Sequence, residues 1–127
     1  MMASRFICTE ECEVHAAVQK ELIDRQEFDT VLYGASTGLQ GRALLNDSIR
    51  KVLEIEARGG GLDEIIPHIA GTLGPEIWQE GKLDAGSINV GQSIGLIHEV
   101  VPVKELLDSM VRQAKQIMDR AGACFES

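Results

Sequence analysis

Strand-forming sequence is scarce in this chain of 127 residues. Two short runs, Arg5–Thr9 and Phe28–Tyr33, combine aromatic and β-branched residues in a way that predicts strands. A single buried strand leaves its backbone hydrogen-bonding groups unpaired along both edges. Because so few strands accompany the predicted helices, we expect an α/β chain whose first strand pairs with something outside the chain.

Apolar residues at helical spacing account for most of the remaining sequence. They predict five helices, within residues 14–22, 46–57, 62–69, 75–81 and 102–121. Asn46 is a good N-cap for the second helix, and Pro67 should bend or break the third. The last helix has the longest apolar stripe, so we expect it to contribute more to folding than the glycine-rich middle. On this interpretation Met110→Asp disrupts the fold, whereas Gly60→Ala is tolerated.

The composition, 44% hydrophobic and 25% charged residues, is typical of one globular domain. No apolar run approaches the ~18 residues typical of a membrane span, and no secretory signal is recognisable. We therefore expect a cytoplasmic protein without membrane contact. The net charge of -8 disfavours binding to nucleic acid, whose phosphates would be repelled.

The three cysteines, Cys8, Cys12 and Cys124, predict reduced thiols rather than a disulfide framework. The spacing between Cys8 and Cys12 could begin a metal site only with two further ligands. No second pair of Cys or His residues occurs at zinc spacing, so no metal site is predicted.

Three motifs resemble the nitronate monooxygenase family, formerly the 2-nitropropane dioxygenases. The run Met2–Ile7 resembles a family strand that typically begins Met-Gly-Thr-Arg-Phe. The run Asp29–Leu32, followed by Gly41–Arg42, is similar to a family strand that leads through a Gly-Arg turn to a helix. The run Val90–Ile97 resembles the family's Gly-Gln and Gly-Leu-Ile segments ahead of a terminal helix.

The resemblance implies that this chain is a C-terminal fragment of a (β/α)8 TIM barrel, mostly helical when isolated. It implies a single partial domain over residues 1–127, in which residues 1–28 form the last barrel strand and its helix. Residues 29–86 would form an added, mainly helical segment, and residues 87–127 the closing loop and terminal helix.

For function, the resemblance implies an FMN-dependent oxidoreductase that oxidises alkyl nitronates, which are small-molecule substrates. Met2, Ala3 and Ser4 match the family's Met-Gly-Thr, which implies cofactor binding through backbone N–H groups to the FMN phosphate. Ala3 departs from the family glycine, and alanine restricts close backbone approach. Gln92 and Ser93 are implied to lie beside the flavin.

No catalytic residue is predicted, because the family's catalytic histidine lies upstream of everything in this sequence. His15 matches a family position at the start of a helix, where capping or packing is expected. The chain by itself is therefore expected to be inactive.

Two alternatives stay open. The flavin-dependent enoyl-acyl-carrier-protein reductases are similar in their Gly86–Ser87 and Gly91–Gln92 segments. The other alternative is a non-catalytic domain that self-associates, as a homo-oligomer, through the unpaired strand Arg5–Thr9.

Overall fold

The computed structural model describes residues 2–123, which form six helices, four short 3-10 turns and one small sheet. The helices are α1 (Ala3–Ile7), α2 (Ala16–Asp24), α3 (Asp47–Ala57), α4 (Leu62–Ile69), α5 (Gly74–Trp78) and α6 (Val103–Ala123). The strands are β1 (Thr30–Tyr33) and β2 (Gly41–Leu44). The 3-10 turns are Glu27–Asp29, Ala35–Thr37, Gly71–Leu73 and Gln92–Leu96. The described chain is thus mostly helical, as expected, with a two-stranded sheet.

The predicted strand Arg5–Thr9 is wrong. Residues Ala3–Ile7 form the helix α1, and Thr9 makes an isolated parallel bridge with Val101. The Thr9 hydroxyl donates to the Phe6 carbonyl at 2.8 Å and so satisfies a backbone acceptor at the end of the helix. So short a helix pairs few of its backbone groups internally, and side chains bind its last carbonyls: Thr9 donates to Phe6, and the Gln19 amide donates to Ile7 at 3.0 Å. The expected self-association through this strand therefore loses the element on which it depended.

The second predicted strand is confirmed over Thr30–Tyr33, but Phe28 belongs to the preceding 3-10 turn and is 86% exposed. The Gly41–Arg42 segment, expected to be a turn, is the start of β2. The two strands pair antiparallel, with Val31 opposite Ala43. The side chain of Ala43 is fully buried, so pairing with β1 also closes the core.

Two hydrophobic clusters lie side by side, and the adjacent β2 residues Leu44 and Ala43 belong to one each. The first gathers α2, α5 and the segment after it: Cys8, Val18, Leu22, Leu44, Ile77, Ile88, Val90, Ile94 and Ile97. The second joins the sheet to α3 and α4: Tyr33, Ala43, Ile49, Val52, Ile55 and Ile65. The clusters together make the sheet and four of the helices one body.

Asn46 caps α3 as predicted, since its side-chain oxygen accepts from the Ile49 N–H at 2.9 Å. Its amide nitrogen donates to the carbonyls of Leu83 at 2.7 Å and Gly86 at 2.8 Å. One side chain therefore both starts the helix and holds the segment that leads toward residues 87–93. Pro67 is accommodated inside α4.

The long helix α6 contributes little to these clusters. Its one buried residue is Leu106, and every residue from 111 to 123 is exposed. This contradicts the expectation that α6 contributes more to folding than the middle of the chain. No helix among the described residues has the length and apolarity needed to cross a membrane.

Candidate functional site

The start of α1 and the segment Asn89–Ser93 meet at one cavity. The Gly91 N–H donates to the Ser4 hydroxyl oxygen at 3.0 Å, which joins two segments far apart in the chain. Ser4 is buried at 9% exposure, so this bond is largely shielded from water. The cavity beside it has a volume of about 350 Å³ and is lined by Ala3, Ser4, Arg42, Asn89, Val90, Gly91 and Ser93.

Arg42 is the one charged residue in this lining, and no carboxylate lies among the described residues that form it. This contrasts with the net charge of -8 on the whole chain. The β1–β2 pairing positions Arg42, whose guanidinium donates to the Thr30 hydroxyl at 3.0 Å and the Thr30 carbonyl at 3.3 Å. A fixed cation without a neighbouring carboxylate favours binding of an anion.

Asn89 is held in place from two sides. Its side-chain oxygen accepts from the Tyr33 hydroxyl at 2.8 Å, and its nitrogen donates to the Ser87 hydroxyl at 3.3 Å. Asn89 also makes an antiparallel bridge with Ala43 of β2. The sheet therefore fixes both Arg42 and Asn89 against the loop that carries Gly91.

The donors around this cavity fit a phosphate group. The first N–H groups of a helix have no acceptor within that helix, and α1 begins at the cavity with Ala3 and Ser4. The 3-10 turn Gln92–Leu96 also begins at the cavity, with Ser93 in the lining. A Cβ atom added to Gly91 would lie 3.7 Å from the Ser93 Oγ and 4.0 Å from the Ser4 Oγ. The space beside Gly91 is thus open, and it has hydroxyl and N–H groups around it.

Ala3, which replaces the family glycine, does not prevent this arrangement. Ala3 lies within α1, and positive φ values occur among the described residues at glycines alone. Alanine is favourable in a helix, so the glycine is not needed for this backbone conformation.

The four predicted cofactor-binding residues differ in where they lie relative to this cavity. Ala3 and Ser4 line the cavity itself. Met2 is 55% exposed and lines an adjoining apolar cavity of about 220 Å³ with Arg5, Ser93, Leu96 and Ile97. Gln92 is exposed and starts the 3-10 turn, and it is not one of the residues that line either cavity.

Sequence reasoning missed Arg42 and Asn89 as site residues, whereas Ser93, expected beside the flavin, does line the cavity. Arg42 belongs to the Gly41–Arg42 motif, for which the family resemblance implies a turn. The β1–β2 pairing was the missing information, because it brings Arg42 to the loop at Gly91.

Two other residues that could have been catalytic, His15 and Cys8, have structural surroundings. His15 caps α2 as expected, because its Nδ1 accepts from the Ala17 N–H at 3.1 Å. Burial raises the pKa of the Cys8 thiol, which disfavours the nucleophilic thiolate. Cys12 is partly exposed, and Cys124 lies outside the described residues. Within residues 2–123, no group of His, Cys, Asp and Glu side chains could hold a metal ion.

A family model for nitronate monooxygenase matches residues 1–113. The chain belongs to the nitronate monooxygenase family. The chain is also similar to the structure of FabK from Thermotoga maritima, with 30% sequence identity and a TM-score of 0.83. That match covers 93% of this chain and 37% of the FabK chain.

The structure of a FabK mutant from the same organism matches at 29% identity with a TM-score of 0.74, over 93% of this chain and 34% of that one. The chain thus spans about a third of the length of the FabK chains that it matches. The cavity residues Ala3 to Ser93 all lie within the family match.

Proposed function

We propose that this chain supplies the phosphate-binding part of the FMN site in a flavin-dependent oxidoreductase that oxidises alkyl nitronates. The observation that carries the proposal is the cavity in which Arg42 faces the starts of α1 and of the turn Gln92–Leu96 without a carboxylate. Membership of the nitronate monooxygenase family supports both the cofactor class and the substrate class.

The chain's own residues would hold the phosphate in two ways. The backbone N–H groups of Ala3, Ser4 and Ser93 would donate to phosphate oxygens, as helix starts commonly do, whereas the Gly91 N–H is already bound to the Ser4 hydroxyl. Arg42 would supply the positive charge. Bound flavin would accept the electrons that leave the substrate.

Ser4 and Asn89 are assigned positioning roles. Ser4 fixes the Gly91 loop through its 3.0 Å hydrogen bond, and Asn89 links the same loop to Tyr33. In these roles neither side chain has to gain or lose a proton during a reaction.

The binding test compares FMN with riboflavin, which lacks the phosphate. The purified chain is titrated into each flavin, and binding is followed by flavin fluorescence, with ³¹P line broadening of FMN to detect weak binding. We expect FMN to bind more tightly than riboflavin, and Arg42→Gln to remove that difference. Arg50→Gln, at an exposed position of α3, is the matched control and should keep it.

Two outcomes would contradict the proposal. One is equal binding of FMN and riboflavin, and the other is an undiminished preference for FMN in Arg42→Gln. Because Arg42 also bonds Thr30, the melting temperature of each variant is measured, and Arg42→Lys tests whether charge alone restores part of the preference.

Enoyl-thioester reduction is the second candidate, implied by the similarity of Gly86–Ser87 to the reductase branch. The structure gives Gly86 a packing reason, since a Cβ there would lie 2.9 Å from the Leu73 Cδ1. Gly86 thus does not by itself favour the reductase, and we prefer nitronate oxidation because the matching family model is that of nitronate monooxygenase. Nitronate-dependent oxygen uptake by FMN-supplemented protein would support it, and reduction of an enoyl thioester with a nicotinamide donor would support the alternative. Because the chain spans about a third of the matched FabK length, we expect neither activity from the chain alone, and either activity, if observed, would decide between the two candidates.

A further inference from the structure

Residues 88–90 extend the sheet along the edge of β2 that β1 does not occupy. The Val90 N–H donates to the Arg42 carbonyl at 3.2 Å, and Asn89 forms an antiparallel bridge with Ala43. Because β1 pairs with the opposite edge, β2 lies between β1 and this segment, and the two outer backbones are about 10 Å apart. A side chain of β1 can therefore reach Asn89 only by crossing β2.

The side chain of Tyr33 makes this crossing at Gly41. The two residues are directly opposite each other in the β1–β2 register, and a Cβ atom on Gly41 would lie 2.7 Å from both the Cζ atom and the hydroxyl oxygen of Tyr33. Even a methyl group at this position would have to displace the ring. Gly41 does not have positive φ, so the ring that covers it, and not its backbone conformation, explains the glycine.

The hydrogen bond from Tyr33 fixes the orientation of the Asn89 amide. The Tyr33 hydroxyl occupies the Asn89 Oδ1 at 2.8 Å, and Asn89 Nδ2 donates to the Ser87 hydroxyl at 3.3 Å. Tyr33 is 6% exposed and belongs to the second hydrophobic cluster, so its hydroxyl is held in place by the core.

One hydrogen of the Asn89 amide is left for a ligand. An amide nitrogen carries two hydrogens, and within residues 2–123 its one acceptor is the Ser87 hydroxyl. Asn89 is exposed and lines the same cavity as Arg42. An anion beside Arg42 would supply the second acceptor.

We propose that Asn89 donates a hydrogen bond from Nδ2 to the anion in the Arg42 cavity, and that Tyr33 and Gly41 are positioning residues for that bond. The inference rests on the phosphate site proposed above and adds a side chain that contacts the phosphate. Arg42 supplies charge, whereas an amide held by Tyr33 supplies a donor of fixed direction.

Titrations with FMN and riboflavin test the contact and its positioning. We expect Asn89→Ala to reduce the preference for FMN about threefold to tenfold, which corresponds to one lost hydrogen bond. Tyr33→Phe keeps the ring and removes the hydroxyl, and we expect a reduction of about threefold. Because both substitutions act on one contact, Tyr33→Phe should have little further effect in the Asn89→Ala background. Gly41→Ala should reduce the preference as Tyr33→Phe does.

Ile55→Val is the matched control for stability. Ile55 is buried in the same hydrophobic cluster as Tyr33 but does not line the cavity, so the variant should melt at a lower temperature and keep the preference for FMN. A full preference for FMN in Asn89→Ala would overturn the proposal. Additive losses in the double variant would overturn the positioning role of Tyr33.

A titration with inorganic phosphate separates this inference from the proposed function. In NMR spectra of the ¹⁵N-labelled chain, the Asn89 side-chain resonances are identified by their absence in Asn89→Ala. We expect phosphate to shift them, sodium chloride of equal ionic strength to leave them unchanged, and Tyr33→Phe to reduce the shift. Unchanged Asn89 resonances in a chain that prefers FMN would overturn this inference alone. Shifted resonances in a chain that binds FMN and riboflavin equally would contradict the proposed function alone, and a failure of both measurements would contradict both.

Discussion

Helices α3 and α6 have similar amphipathic sequences but different surroundings. Ile49 and Val52 of α3 are fully buried against α4 and the sheet, whereas Val111 and Met118 of α6 are both 73% exposed. The spacing of apolar residues predicted both helices correctly. It did not predict which stripe would be covered by the chain itself, because a periodic pattern contains no information about the partner.

The largest expected effect on stability comes from the apolar stripe of α3, which the chain itself buries. Ile49→Ala should lower the free energy of unfolding by about 2–5 kcal/mol, because it removes fully buried methyl groups and leaves a cavity. Ile117→Ala, at a position 58% exposed, should change it by no more than about 0.5 kcal/mol. Urea unfolding at low protein concentration measures both in the single chain. Equal losses of unfolding free energy would contradict the conclusion that the chain itself buries the apolar stripe of α3 but not that of α6.

The exposure of α6 also changes the expected effect of Met110→Asp on stability. Met110 is partly exposed, so the substitution should be much less disruptive than a charge at Ile49.

Gly60, just after α3, should give the next largest effect. A Cβ at Gly60 would lie 2.5 Å from the Ile55 Cγ2 and 3.0 Å from the Ile55 carbonyl oxygen, although the glycine does not have positive φ. This crowding reverses the expectation that Gly60→Ala is tolerated. The substitution should cost about 1–3 kcal/mol through crowding.

Gly122→Ala is the matched control in α6, where an added Cβ meets nothing within 4 Å. It should leave stability unchanged or raise it by up to about 1 kcal/mol through helix propensity. Thermal melts of the two variants compare them directly, and a Gly60→Ala variant as stable as the parent would show that Ile55 moves aside at little cost.

Asn46→Ala should lower the stability of the region around α3 by an intermediate amount. It removes the cap of α3 and the donors to the carbonyls of Leu83 and Gly86, at an expected cost of about 1–2 kcal/mol. Asn46→Asp keeps the capping oxygen but not the amide donors. We expect it to recover part of the loss in urea unfolding, and no recovery would mean that the 83–86 contacts dominate.

Local signals predicted the middle of the fold well. Asn46 as a cap, the stripe of α3 and the strand Thr30–Tyr33 each depend on a few neighbouring residues, and the structure confirms them. The run Arg5–Thr9 was too short to distinguish a buried strand from a helix. Side chains outside the helix, those of Thr9 and Gln19, bind the carbonyls at the end of α1, and no sequence pattern around residues 5–9 indicates the contact from Gln19.

The candidate site could be predicted only in part, because it combines distant segments. Ala3 and Ser4 came from the resemblance to the nitronate monooxygenases, and both line the cavity. The β1–β2 register positions Arg42 at the cavity, and the bridge to Ala43 positions Asn89 there. No local pattern contains those pairings, so the charge at the site became visible only in the structure.

The smallest expected effect concerns Glu56 and depends on pH. Glu56 lies on α3, and its carboxylate accepts from the Gly34 N–H at 3.0 Å, the Ser36 N–H at 3.1 Å and the Ser36 hydroxyl at 2.8 Å. Burial acts to raise the pKa of Glu56, but the hydrogen bonds from Gly34 and Ser36 outweigh it and hold the pKa below the ordinary value of 4.5. The carboxylate thereby holds the turn after β1 against α3.

A folded-state pKa below the unfolded value gives stability that is present above the unfolded pKa and is lost as pH falls through the folded pKa. Glu56→Gln, which cannot ionise, should therefore be less stable than the parent at pH 7, by about 1 kcal/mol or less for a group so near the surface. As the pH falls below 4.5 the two unfolding free energies should converge, because protonation removes the parent's advantage. Urea unfolding at several pH values between 7 and 3 measures the difference. A difference that stays constant over this range would mean that Glu56 supports the turn by its shape and not by its charge.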